Sequence, residues 1–176
     1  AATPATPAAD AKPAATAPAV ATPPQIPDAA KAWAKFCDPD PKDGHTVCIV
    51  RKLVFQDSKQ IATITFRVDS KKGVPTLLVV AVPLDVILTR GLTWQLDKLK
   101  PVVTPFWRCT PQFCESEQLM KPATLNRLLK ANSLTLTVRN LANKPFTIDV
   151  GMNGLTAAYN MKNPPTYADY LKSLQK

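Results

Sequence analysis

The sequence predicts a mainly β protein: an antiparallel β-sandwich, or a barrel-like closure of the same strands, in a single domain with one short internal helix and a short C-terminal helix. Three observations lead there. Segments rich in β-branched and aromatic residues recur at short spacing, several with strict apolar/polar alternation. Turn residues, rather than the long helical crossovers of βαβ units, separate them. Once a compositionally distinct leader is set aside, about 149 residues remain, one domain's worth and enough for a core that needs no metal or dense disulfide framework.

The leader comes first. Of residues 1–27, 22 are Ala, Pro or Thr, with almost nothing large and apolar to bury, so the segment cannot fold alone and is expected to act as an extended, semi-rigid spacer. The division drawn is a Pro/Ala/Thr-rich linker at 1–30 and a disulfide-bonded β domain at 31–176. The chain opens Ala1-Ala2-Thr3 without methionine, as expected of a mature protein whose signal peptide has been removed.

From Trp33 onward strands dominate, about nine in all. Residues 46–56 are β-branched and aromatic. Residues 61–69 alternate, with Ala62, Ile64, Phe66 and Val68 on one face and Thr63, Thr65 and Arg67 on the other. The unbroken apolar run 77–82, ending at Pro83, predicts a central strand buried on both faces. Strands at 92–97 and 102–108 flank the turn Lys98-Leu99-Lys100-Pro101, and another follows at 114–119. Residues 134–140 and 146–150 form a second alternating pair around Asn143-Lys144-Pro145. Leu125, Leu128 and Leu129, at i, i+3 and i+4, predict the internal helix over 123–130, and a terminal helix is expected over 167–174.

Four cysteines lie at Cys37, Cys48, Cys109 and Cys114. With one histidine and no Cys-x-x-Cys knuckle, disulfides in an oxidising compartment are the expectation and zinc is not. Two local bridges are the simplest of the three pairings. His45, in Asp43-Gly44-His45, reads as a turn residue. Cys109 and Cys114 have too many intervening residues for a redox dithiol at a helix start and read as a structural clamp. Asp38, Asp40 and Asp43 suggest a calcium loop, but Pro39 and Pro41 interrupt it and Ile49 stands where the closing carboxylate belongs. Glu115 and Glu117 share a strand face, which more often means solvated carboxylates than an acid/base pair. No glycine-rich phosphate loop occurs. The expectation is therefore no enzyme, no cofactor and no metal.

The net charge is +9, and because Asp10 and Asp28 offset Lys12 and Lys31 the surplus belongs to the folded domain. Lys71, Lys72, Lys98 and Lys100 in predicted turns are the candidate patch for an anionic partner, with Lys121, Arg127 and Lys130 at or on the predicted internal helix; a scattered solvated surface is the competing reading. Nucleic acid is not expected, because Trp33, Trp94 and Trp107 lie in or beside strands rather than among the cations. No apolar stretch approaches the length of a membrane helix.

Several segments together resemble the invasion-associated locus B (IalB) family of exported alphaproteobacterial proteins. They are Trp33 with Cys37 and Cys48; Val82-Pro83-Leu84-Asp85-Val86-Ile87-Leu88; Gly91-Leu92-Thr93-Trp94-Gln95-Leu96-Asp97; Phe106-Trp107-Arg108-Cys109 leading to Cys114; Leu134-Thr135-Leu136-Thr137-Val138; and Gly154-Leu155-Thr156-Ala157-Ala158. Phe113 and Asp85 stand where the family pattern favours glycine. The resemblance implies a secreted β-sandwich associated with host-cell invasion or a wider envelope role, and it carries over no catalytic residue. It places the protein in the periplasm or at the outer surface of a Gram-negative cell, as a non-enzymatic binding or envelope-integrity module. Anionic envelope or host-surface components are the partners its charge suggests. The alternatives are an accessory or inhibitor-like protein gripping an extended chain at a sheet edge, and an unrecognised periplasmic enzyme.

Overall fold

The computed structural model describes residues 28–175; the spacer expected over residues 1–27 lies outside them. Residues 28–30, assigned by composition to the linker, belong to a short helix α1 (Asp28–Lys31) whose Ala30 is buried.

Ten strands form two antiparallel sheets. The first contains β1 (Ala34–Pro39), β2 (Thr46–Gln56), β3 (Lys59–Asp69), β4 (Leu77–Pro83), β7 (Phe106–Cys109) and β8 (Phe113–Leu119), in the order β1-β2-β3-β4-β8-β7. The second contains β5 (Leu92–Leu96), β6 (Val102–Thr104), β9 (Ser133–Arg139) and β10 (Pro145–Gly151), in the order β10-β9-β5-β6. The alternation seen in the sequence is the cause of this layering, because each strand turns every second side chain inward. Ala62, Ile64 and Phe66 of β3 meet Leu92, Trp94 and Leu96 of β5, Leu134, Leu136 and Val138 of β9, and Ile148 and Val150 of β10 in one core. The fold is a β-sandwich.

The run at β4 is less enclosed than its composition suggests: Leu78, Val80, Ala81 and Val82 are buried, but Leu77 and Val79 are only half-buried on the outer face. The single strand expected over 102–108 is broken at Pro105 into β6 and β7, which belong to different sheets. Proline offers no N–H to a ladder, and the crossing is fastened from β8, where the buried Ser116 hydroxyl lies 2.7 Å from Thr104 Oγ1 and 2.9 Å from the Pro105 carbonyl. A 3₁₀ turn at Leu88–Arg90 leads into β5 through Gly91.

Helix α2 (Pro122–Lys130) closes one end of the sandwich. Pro122 at its first turn presets the backbone, and Arg127 and Lys130 complement the dipole in its last turn. Leu128 is fully buried, and Leu125 and Leu129 pack beside it. Helix α3 (Leu155–Tyr159) inserts Leu155 and Ala158 into the core. Helix α4 (Tyr167–Ser173) docks on the outer side of β1 and β2: the Arg51 guanidinium carbon lies 5.3, 5.9 and 5.6 Å from the ring centres of Phe36, Tyr167 and Tyr170. Phe36 and Tyr170 are stacked at 5.1 Å, so an aromatic clasp on one cation holds the C-terminal helix.

Candidate functional site

Antiparallel topology gathers the β1–β2 connection, the β3–β4 loop, the β5–β6 turn and α2 at one end of the sandwich. All four candidate lysines are here, but they do not form one continuous patch. Gly73, Val74 and Thr76, from the loop carrying Lys71 and Lys72, line a depression with Pro122, Leu125 and Asn126. Leu99 and Lys100 line another with Thr124 and Arg127. Helix α2 therefore stands between the two lysine pairs and adds its own Arg127. Lys71 is partly spent, its Nζ lying 3.5 Å from Asp43. Lys72, Lys98 and Lys100 form no ion pair among the described residues.

At the same end His45 is more than a turn residue. Its Nδ1 pairs with Asp43 and its Nε2 is 2.9 Å from Asp69 Oδ2. Both contacts favour the imidazolium, so the His45 pKa is raised, the Asp43 hydrogen bond being the largest cause. Asp43 is lowered chiefly by His45, and Asp69 chiefly by the Lys71 backbone N–H, 2.8 Å away. Arg67 lies 4.0 Å from both Asp40 and Asp69. Asp40, Asp43 and His45 present donor atoms within 4.8 Å of one another, yet His45, Arg67 and Lys71 already face these carboxylates, while Asp38 accepts from the Tyr167 backbone N–H. The group is a self-neutralised network tying the β1–β2 connection to β3. Sequence reading missed it because Asp69 is 24 residues from His45 and only strand register makes them neighbours.

The four cysteines are paired as Cys37–Cys48 and Cys109–Cys114. Each bridge joins directly opposite residues, the first across β1 and β2 and the second across β7 and β8, so both clamp edge strands. Glu115 is engaged by Arg108, whose guanidinium stacks 4.4 Å over the exposed Trp107 ring. Glu115 is thus part of an ion pair, and Glu117 sits two residues on, opposite Val79. The candidate groups for chemistry are dispersed: His45 is at the α2 end, whereas the Cys109–Cys114 turn is at the other.

Fold and site together define a disulfide-clamped antiparallel β-sandwich with a charged loop end. The chain belongs to the family described as Invasion associated locus B (IalB) protein, which it matches over residues 33–163. Its fold is similar to that in the crystal structure of invasion associated protein B from Bartonella henselae, with a TM-score of 0.63, 17% sequence identity, and coverage of 74% of this chain and 89% of that one. No curated protein matches the chain. Among the described residues no helix is long and apolar enough to cross a membrane.

Proposed function

We propose that this protein is a non-enzymatic module of the bacterial envelope, in the periplasm or at the outer surface, whose α2 end associates with anionic surfaces such as lipid headgroups and lipopolysaccharide phosphates. The observation that carries this reading is that Lys72, Lys98 and Lys100, on the loops flanking helix α2, and Arg127, on the helix itself, all lie at one end of the sandwich without ion-pair partners among the described residues. Loops on a rigid sandwich are free to serve binding. Two disulfides support an oxidising compartment, and the family description supports an association with invasion. The sheet-edge alternative is weakened by the edges themselves. Strand β6 has three residues, β7 is bulged, the longer β10 opens with Pro145 and carries Asp149, and β1 ends at Pro39 with its Cys37 N–H donating to the Pro165 carbonyl, devices that discourage strand addition.

Cosedimentation of the purified chain with phosphatidylglycerol vesicles and with phosphatidylcholine vesicles, at low and high salt, tests the reading. Binding is expected to the anionic vesicles only and to fall as salt shortens the Debye length, about 8 Å at physiological ionic strength. Equal binding to both lipids, or indifference to salt, would show that the cations serve solubility alone.

A further inference from the structure

Between the β5–β6 turn and α2 lies a cleft of about 310 Å³ lined by Trp94, Leu96, Leu99, Val102, Lys100, Thr124 and Arg127. That volume falls at the small end of the range for small-molecule sites. Two features distinguish it from a packing defect. Trp94 is 6% exposed, and its indole N–H, shielded from solvent, has no acceptor among the described residues. A buried donor left unpaired destabilises the fold by an amount that an acceptor brought by a ligand restores. The charge of the lining is also one-sided: Lys100 and Arg127 form no ion pair among the described residues, and no acidic side chain lines the cleft. The walls thus offer an apolar surface and two cations, and Trp94, whose buried N–H lacks an acceptor among the described residues, is one of the lining residues. They call for a ligand with an apolar body and an anionic acceptor.

We propose that this cleft binds a short acyl chain ending in a carboxylate, the chain lying against Leu96, Leu99 and Val102 and the carboxylate meeting Lys100, Arg127 and the Trp94 indole N–H. This deepens the proposed function, resting on the α2 end as the binding end and naming a ligand class for it. Access to the indole N–H requires the β5–β6 turn to open. Leu99 at its tip is 48% exposed, and opening the turn has to break the hydrogen bonds its backbone makes with the Gln95 amide and the Leu96 carbonyl. A fatty carboxylate satisfies all three demands, whereas an alcohol of the same length lacks the charge and an amine reverses it.

The test uses the full chain labelled with nitrogen-15. Its three tryptophans, Trp33, Trp94 and Trp107, give three indole cross-peaks, and the one missing in Trp94→Phe is assigned to Trp94. Titration with octanoate is expected to move that peak saturably, while 1-octanol and octylamine leave it in place. In the double variant Lys100→Glu/Arg127→Glu the apparent Kd for octanoate should rise about tenfold or more. The same samples are tested on anionic vesicles. A Trp94 peak unmoved by octanoate, or moved equally by octylamine, overturns the cleft, and it does so alone if vesicle binding persists. Loss of vesicle binding in the wild type as well overturns the surface reading.

Discussion

Replacing Cys37 and Cys48 together by alanine removes a cross-link that closes a loop with a sequence separation of 11. In a chain-entropy treatment a loop of that length restricts the unfolded chain by about 2.8 kcal/mol at 25 °C. The folded state loses little in return, because β1 and β2 stay registered over Ala34↔Arg51 to Pro39↔Thr46. For a domain of this size each kcal/mol displaces the midpoint by about 2–4 °C, so the melting temperature should fall by about 6–11 °C. Calorimetry on the oxidised wild type and the double variant measures this directly. Urea unfolding adds a second sign, since a freed chain exposes more surface when unfolded and the m-value should rise. A fall below about 2 °C with an unchanged m-value would refute the reasoning, showing that the unfolded chain was already constrained without the bridge.

Three further outcomes follow from individual contacts. The His45 pKa is raised, so its contribution to stability is complete below its usual value near 6.5 and is lost as pH rises through the raised one. Asp43 and Asp69 are lowered, so theirs is complete above about 3.8 and lost as pH falls through the depressed values. The stability gap between wild type and His45→Ala, followed by urea titration, should therefore be widest between about pH 4 and 6.5; a gap flat across pH 3–9 would contradict the network. Arg51→Met should weaken the clasp by about 1–2 kcal/mol and speed amide exchange through Tyr167–Ser173, so unchanged exchange there would count against it. Gly91 has φ 67° and ψ −177°, and an added Cβ would lie 2.7 Å from the Thr104 carbonyl oxygen. Gly91→Ala should destabilise by about 2 kcal/mol or more in chemical denaturation, and a neutral result would mean that β5 enters the sheet differently.

The strands were legible where burial is one-sided. Residues 134–140 and 61–69 alternate because one face of each is wet, and the observed strands Ser133–Arg139 and Lys59–Asp69 follow that pattern to within a residue or two. Helix α2 was legible from three leucines at helical spacing. What escaped depends on partners distant in sequence. Pro105 marks a break, but nothing local says that the chain changes sheets there; Ser116 on β8 helps hold the crossing. Helix α3 is five residues long, too short to display a period. The lysines could be named as a basic group, but their division by α2 follows from Leu128 anchoring that helix between the loops. Trp94 was legible as a strand residue; its burial, its unpaired N–H and the cleft beside it required the packed structure.

Charge at the α2 end, rather than net charge, is proposed to make the surface contact. Two double reversals separate these possibilities. Lys98→Glu/Lys100→Glu alters the α2 end, and Lys59→Glu/Lys144→Glu alters turns at the opposite end; each subtracts four charges and takes the net charge from +9 to +5. Lysines beside an anionic surface contribute about 1 kcal/mol each, so the first pair should weaken affinity for phosphatidylglycerol vesicles at low salt by about thirtyfold or more. The second pair should change it several times less. Equal weakening by both pairs, or none by the first, would contradict a binding end.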